Sequence, residues 1–230
     1  MGILRSKLQS GAILSVIMLT SQIVNFFIVN LVANKLGLED FGRLSILLQD
    51  FNWFLFIRDF GMTQILISWY HLHSSSKDSQ SQALFSTCTM NVMTAFLFMA
   101  YIFIIRNDHP NQEALWWTLP AVIFNPSVFD WLLMAHKQWW RLFIIRFSQV
   151  SIYSLGALWF LNSSEPTQII DLTQLLGISY TVSFVLGFIL TKVRLTWLID
   201  LSQHIKIFKE ILTQSTPIAI GGLVAFLYYP

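Results

Sequence analysis

Between residues 41 and 60 an otherwise apolar run carries Gln49, Asp50 and Asn52 near its middle and Arg58 with Asp59 near its end. Ionisable side chains in such a run need a reason, because each costs about 2.5–3.5 kcal/mol at the centre of a membrane helix even on the mildest scale. On a helix turning about 100° per residue, Asn52 and Asp59 fall about 20° apart, whereas Asp50 and Arg58 fall about 80° apart. Two polar directions result. If one of them lines a water-filled passage, Asp50 or Asp59 can titrate or hold a cation there, and Arg58 can hold an anionic group. The plainer reading is a local balance of the Arg58 and Asp59 charges at an interface.

A second set lies between residues 142 and 161, where Arg146, Gln149 and Tyr153 recur at i, i+3 and i+7 and share one helix face. A guanidinium there can clamp phosphate, since it stays charged and presents a planar fork of donors. It also lies near enough to the end of its run to reach lipid headgroups by snorkelling. Between residues 11 and 32, Ser15, Gln22, Asn25 and Asn30 occupy a helical sector of about 140°. Such a stripe either lines a cavity or bonds to a neighbouring helix. Between residues 115 and 134, Pro120 and Asn125-Pro126 interrupt the backbone ladder, and Asp130 follows one turn later. Broken helices mark moving or binding elements in transporters, and kinks made for packing are at least as common.

Other signals carry little. His71 and His73 form a His-x-His in a loop with no third ligand nearby, which is too few donors for a metal. The single cysteine, Cys88, lies inside an apolar run and reads as a small buried hydrophobe, with no intrachain disulfide or thiolate cluster to join. Asn162-Ser163-Ser164 has the form of a glycosylation acceptor, which matters only in a eukaryotic secretory setting. No phosphate-binding glycine loop, HExxH or GxSxG is present. The chain is therefore expected to be neither an enzyme nor a cofactor or metal protein.

The elements that must position these side chains follow from composition. Of 230 residues, 55% are hydrophobic and only 11% are charged, whereas a soluble domain is usually about a quarter charged. So few charges cannot cover a soluble globule. They cluster between apolar runs whose length of roughly 18–22 residues matches a bilayer. The runs lie at 11–32, 41–60, 83–105, 115–134, 142–161 and 175–191. The expected fold is an all-α polytopic membrane bundle of six complete transmembrane helices plus the start of a seventh. The first run follows Arg5 and Lys7 but is too long for a signal-peptide core and continues into Asn34-Lys35-Leu36-Gly37, so it reads as an uncleaved span.

With a cytoplasmic N-terminus, eleven Lys and Arg residues fall at or near inner connectors and only Lys35, Arg43 and Arg106 fall outside. That distribution follows the positive-inside rule. Asp108, Glu113, Glu165 and Asp171 lie on the outer side. Trp116 and Trp117 at one end of the fourth run, and Trp131, Trp139 and Trp140 at the other, read as interfacial belts. The connectors are short, and 71–82 is a Ser/Gln-rich loop. Apolar positions at Leu198, Leu201, Ile205, Phe208 and Leu212 make 193–214 an amphipathic helix. It lies along the inner interface or packs as a hairpin against the inner loops. Residues 218–229 are too short to cross a bilayer, which implies a longer chain. The expected organisation is a six-helix lobe over 1–192, a connecting helix over 193–216 and the start of a second lobe over 217–230. The net charge of +2 and the absence of a basic run leave no case for nucleic acid as a partner.

Three stretches together resemble the polysaccharide or O-antigen flippases (Wzx-type) of the multidrug and oligosaccharidyl-lipid exporter superfamily. Leu36-Gly37-Leu38-Glu39-Asp40-Phe41-Gly42 is similar to the family's Leu-Gly-x-x-x-Phe-Gly turn between the first two spans. Asp59-Phe60-Gly61-Met62 is similar to its Asp-Phe-Gly-Leu at the end of the second, and Pro126 through Asp130-Trp131-Leu132 to Arg141 resembles its fourth span and basic inner loop. Members of the family have two lobes, and Gln214-Ser215-Thr216-Pro217 resembles the entry to the second.

The resemblance implies translocation of an undecaprenyl-pyrophosphate-linked oligosaccharide across the bacterial inner membrane by alternating access. Membrane lipids are implied as neighbours, and the polysaccharide polymerase machinery is admitted as a partner. A dianionic pyrophosphate and a polar sugar require a cationic, hydrated cavity. Substrate binding is accordingly expected at Arg58, Arg146, Gln149 and Asn25, and ion coupling at Asp50, Asp59 and Asp130, with no catalytic residue and no metal or other cofactor. A cation-coupled drug exporter of the same superfamily predicts an acidic cavity with few arginines instead. A membrane glycan polymerase or glycosyltransferase needs a large outer loop or a catalytic domain with paired carboxylates, which this stretch lacks. A nonfunctional half-transporter is the remaining alternative.

Overall fold

The computed structural model of the chain describes residues 2–72, 77–106, 112–162, 168–192 and 201–228. His73, Asp108, Ser163, Glu165 and residues 193–200, on which some of the expectations fall, lie outside that set. Among the described residues the fold is all-α, with helices α1 (Gly2–Asp59), α2 (Met62–Leu72), α3 (Lys77–Ile105), α4 (Gln112–Ile123), α5 (Asp130–Ala135), α6 (Trp139–Asn162), α7 (Ile169–Thr191) and α8 (Leu201–Tyr228). A single 3-10 turn, Pro126–Phe129, joins α4 to α5.

Helix α1 is two limbs joined at Gly37, whose φ of 80° and ψ of 170° lie outside helical space. No L-residue adopts that conformation without strain, so glycine is what allows the two limbs to meet there. The first limb buries Ile28 and Val32 and the second buries Leu44, Leu47 and Phe51, each set spaced by three or four residues along one face. Gly61, with φ of 70°, makes the next corner, into α2.

Four helical stretches are long and apolar enough to cross a membrane: Ser79–Ile105, Gln112–Ala135, Trp139–Asn162 and Ile169–Thr191. They coincide with the third to sixth apolar runs. The first two runs, which form α1, are not among them, so the expected count of six is met for four. The second limb of α1 carries Arg43, Asp50, Arg58 and Asp59, a heavy charge load for its length. In the first limb the side chains of residues 1–14, 17, 18 and 21 are not described.

The pattern of burial is inverted relative to a water-soluble globule. Phe96, Ile104, Leu155, Trp159 and Ile189 point outward with more than half of their surface free, while Ser86, Thr94, Thr118, Ser179 and Ser183 are buried between helices. Apolar surface on the outside and small polar groups at the helix contacts is the arrangement a lipid solvent selects. Most of the buried hydroxyls bond within their own helix, as Thr118 Oγ1 does to Leu115 O at 2.8 Å and Ser179 Oγ to Leu176 O at 2.8 Å. Ser148 and Ser183 instead meet across α6 and α7, with 3.1 Å between their oxygens.

Helix α7 packs against both α4 and α6, and small residues set its approach. A Cβ on Gly177 would lie 2.7 Å from the backbone oxygen of Trp117, and one on Gly187 would strike the Phe129 ring. The fourth run is interrupted at Asn125-Pro126, as its residue types predict, while Pro120 is absorbed inside α4. The Asn125 side chain accepts Ser127 N at 3.0 Å and starts the 3-10 turn.

The structure corrects three expectations. Trp131 is not part of an interfacial belt: it is fully buried and packs edge-on against Tyr70, whereas Trp140 is exposed. Residues 77–82 are not loop but the opening of α3, because Ser79 and Ser81 are buried there by tertiary packing that overrides their turn preference. A further helix, α2, occupies 62–72, where its buried Met62, Leu66, Trp69 and Tyr70 dock on α5 and α8. Beyond the amphipathic stretch, α8 continues without a break through Pro217 and lays His204, Ile211, Ser215 and Ala219 toward α2 and α3.

Candidate functional site

The second limb of α1 ends inside the bundle at Arg58, which is 5% exposed. Its Nε donates to Asn91 Oδ1 at 2.7 Å, and Asn91 Nδ2 donates to Ile123 O at 3.0 Å. That carbonyl is free for a local reason. Ser127 N, which would close the next helical turn on Ile123, is held by the Asn125 side chain instead. Asn91 on α3 therefore ties Arg58 to the break in the fourth run. Among the described residues Arg58 makes no other hydrogen bond, so both of its terminal amino groups are unused.

One turn past the break stands Asp130, 7% exposed, whose Oδ2 accepts from Arg146 Nη2 of α6. Its other oxygen, Oδ1, is buried with no hydrogen-bond partner. Arg146 Nη1 reaches Gln149 Oε1 at 3.4 Å, a weak bond from the next turn of the same helix, and Gln149 bonds Tyr180 of α7. Arg58 lies within electrostatic reach of Asp59, Asp130 and Arg146, and Arg146 within reach of Asp59 and Tyr180. Asp59 also accepts from Thr63 Oγ1 at 2.7 Å.

Five of the seven residues singled out from the sequence thus share one neighbourhood: Arg146 bonds Asp130 and Gln149, and Arg58 and Asp59 stand within electrostatic reach of that set. Arg58 has Asp59 as its strongest charge influence and also bonds an amide of another helix, and Arg146 pairs with Asp130. Tyr153, on the same stripe as Arg146, packs instead in the apolar cluster with Ile28, Val32 and Leu161.

Asp50 and Asn25 are elsewhere. Asp50 pairs at 2.7 Å with Arg106 at the end of α3, both side chains being about four-fifths buried. Arg106 Nε also donates to Tyr101 Oη at 2.8 Å, and the guanidinium stands 5.7 Å from that ring's centre. Asn25 is exposed on the first limb of α1 together with Ser15, Gln22 and Asn30, and takes no part in the cluster.

Four residues of these two networks were not anticipated as functional: Asn91, Tyr180, Tyr101 and Arg106. The first three are isolated polar groups within apolar runs, which is the signal they offer; Arg106 offers in the sequence only the signal of an outer-side charge. Near the opposite end of α3 a separate polar knot joins Tyr70 Oη to His136 Nε2 at 3.1 Å and to Gln80 Nε2 at 2.8 Å. No group of three or more His, Cys, Asp or Glu able to hold a metal occurs among the described residues.

Comparison of the chain with protein families, curated proteins and solved structures finds no match to any of them. The chemistry of the site is therefore read from its geometry. Two guanidiniums and two carboxylates are held by α1, α5 and α6 in a bundle whose outer surface is apolar. In that low-dielectric setting the arginines can receive an anion carrying two charges, and the carboxylates neutralise them in its absence.

Proposed function

We propose that the chain is a helical lobe of a transporter that carries a pyrophosphate-linked, lipid-anchored oligosaccharide from the inner to the outer leaflet of the bacterial inner membrane. The observation that supports this reading is the pair Arg58 and Arg146, set within charge-interaction distance inside an apolar bundle and backed by Asp59 and Asp130. A guanidinium at such depth is costly unless it serves an anion or a passage, and a lipid-linked pyrophosphate is an anion that has to cross an apolar layer. The resemblance of the Leu36–Gly42, Asp59–Met62 and Pro126–Leu132 stretches to the flippases points the same way. In this reading α1 supplies the first two of six spans, the N-terminus is cytoplasmic, a second lobe faces the first, and the transport step is not enzymatic. Gln149 assists Arg146, and Asp59 and Asp130 couple transport to an ion. Asn25, exposed on α1, faces the passage; Asp50, held by Arg106, is a structural pair rather than a coupling residue.

The test is complementation of a flippase-null strain that makes a matched glycan, using the chain alone and extended by any natural downstream sequence, with surface glycan read on a gel. Rescue that is lost in Arg58→Gln and Arg146→Gln, with membrane levels unchanged, is the expected result. Absence of rescue by every form despite confirmed membrane expression, accompanied by raised tolerance to cationic drugs, would replace this reading with that of a drug exporter.

A further inference from the structure

Asp130 and Arg58 each carry a group left over from the pairing around them. Asp130 Oδ1 is buried without a partner, and Arg58 has two unused amino groups in the same neighbourhood, yet the two residues are not bonded to each other. The fork of Arg146 is engaged by Asp130 Oδ2 and, weakly, by Gln149. The Arg146 side chain is 30% exposed and that of Asp130 10%, so the site opens on the Arg146 side.

We propose that Asp130 is an internal competitor for the anion that Arg58 and Arg146 receive, and that a divalent oxyanion binding there displaces it and drives uptake of one proton onto Asp130. This deepens the proposed function, on whose reading of the two arginines it rests. An oxyanion bridging both guanidiniums needs the Arg146 fork that Asp130 now occupies. The charged and titratable groups around the two arginines, and so around a displaced Asp130, are Asp59 of α1 and Cys88 of α3 beside Arg58, and Tyr180 of α7 beside Arg146, with Gln149 of α6 between Arg146 and Tyr180. Both arginines are then engaged by the incoming dianion. A carboxylate nine-tenths buried with no cation of its own is costly to keep ionised. A proton from water passes to Asp130 Oδ1, and the site exchanges one internal negative charge for the two of the ligand.

The experiment uses the full chain in lipid nanodiscs with inorganic sulfate as the probe, since sulfate remains a dianion at every pH used. Binding is followed by calorimetry from about pH 6 to about pH 8, in buffers of unlike ionisation heat. One coupled proton predicts that affinity rises about tenfold for each unit of pH lost, and that the buffer dependence returns about one proton per sulfate. Asp130→Asn is expected to bind sulfate more tightly at pH 8 and to lose the slope. Sulfate binding with a flat profile in the unaltered chain would overturn the inference and leave the arginine site standing. A slope of equal size in Asp130→Asn would overturn it too, by placing the proton on another group such as His136 or His204. No sulfate binding in either chain would overturn both the inference and the anion site. The slope of the unaltered chain is decisive whether or not the variant folds.

Discussion

Replacing Asn91 by Ala cuts the link between Arg58 and the broken fourth run, and the structure sets the size of the loss. Two bonds disappear, Arg58 Nε to Oδ1 at 2.7 Å and Nδ2 to Ile123 O at 3.0 Å, at a residue only 2% exposed. Hydrogen bonds between membrane helices average about 0.6 kcal/mol and reach about 1.7, and a charged donor roughly doubles the strength. The two together amount to about 2–5 kcal/mol. Water cannot readily replace Asn91 at such burial, so little of the loss is recovered. The assay is reversible unfolding in mixed micelles of rising dodecyl sulfate content, followed by circular dichroism, on the unaltered chain, Asn91→Ala, Arg58→Leu and the double variant. A coupling energy of about 1–3 kcal/mol between the two positions is expected, since each variant already removes the bond they share. An Asn91→Ala loss within about 0.5 kcal/mol of zero, or strict additivity with Arg58→Leu, would refute the linkage.

Three further outcomes follow from the packing and the ion pairs and are checked by the same unfolding measurement. Gly177→Ala is expected to cost about 1–3 kcal/mol, because its Cβ meets the Trp117 backbone oxygen, which cannot rotate aside. Gly42→Ala, with nothing within 4 Å, is expected to gain about 0.5–1 kcal/mol from the lower backbone entropy of the unfolded chain. Asp50→Asn is expected to lose about 1 kcal/mol, and combining it with Arg106→Gln to lose less than the sum, because the 2.7 Å pair is the shared interaction.

Local signals in the sequence were legible and non-local ones were not. The break at Asn125-Pro126 and the shared face of Arg146 and Gln149 depend on residues within a turn or two, so residue type and helical period suffice to find them, whereas the turn at Gly37 is suggested by the resemblance alone. The third to sixth spans were legible for a similar reason, since each is a continuous apolar run. The partners of Arg58, Asp50 and Asp130 lie 33, 56 and 16 residues away, and no periodicity within one helix specifies which neighbour will carry them. Trp131 shows how tertiary packing misleads a reading by type: an indole at the end of an apolar run suits an interface, but the short α5 turns it inward against Tyr70. Helix α2 went unassigned because its four buried residues span only 62–70, too short a stretch for a bilayer signal.

The wide spacing of those charge partners bears on how the chain is made. In the proposed arrangement the second limb of α1 leaves the ribosome with Asp50 and Arg58 unpaired, and Asn91 and then Arg106 follow only 33 and 56 residues later. Asp130 arrives after both and waits a further 16 residues for Arg146. During synthesis, then, the second limb of α1 cannot settle alone in lipid without leaving two ionised groups bare. It has to be held in a polar setting, within the insertion machinery or at the membrane surface, until α3 emerges. A cysteine placed at residue 52 should therefore react with a water-soluble maleimide in a nascent chain halted before Asn91 and be protected in one halted after Arg146.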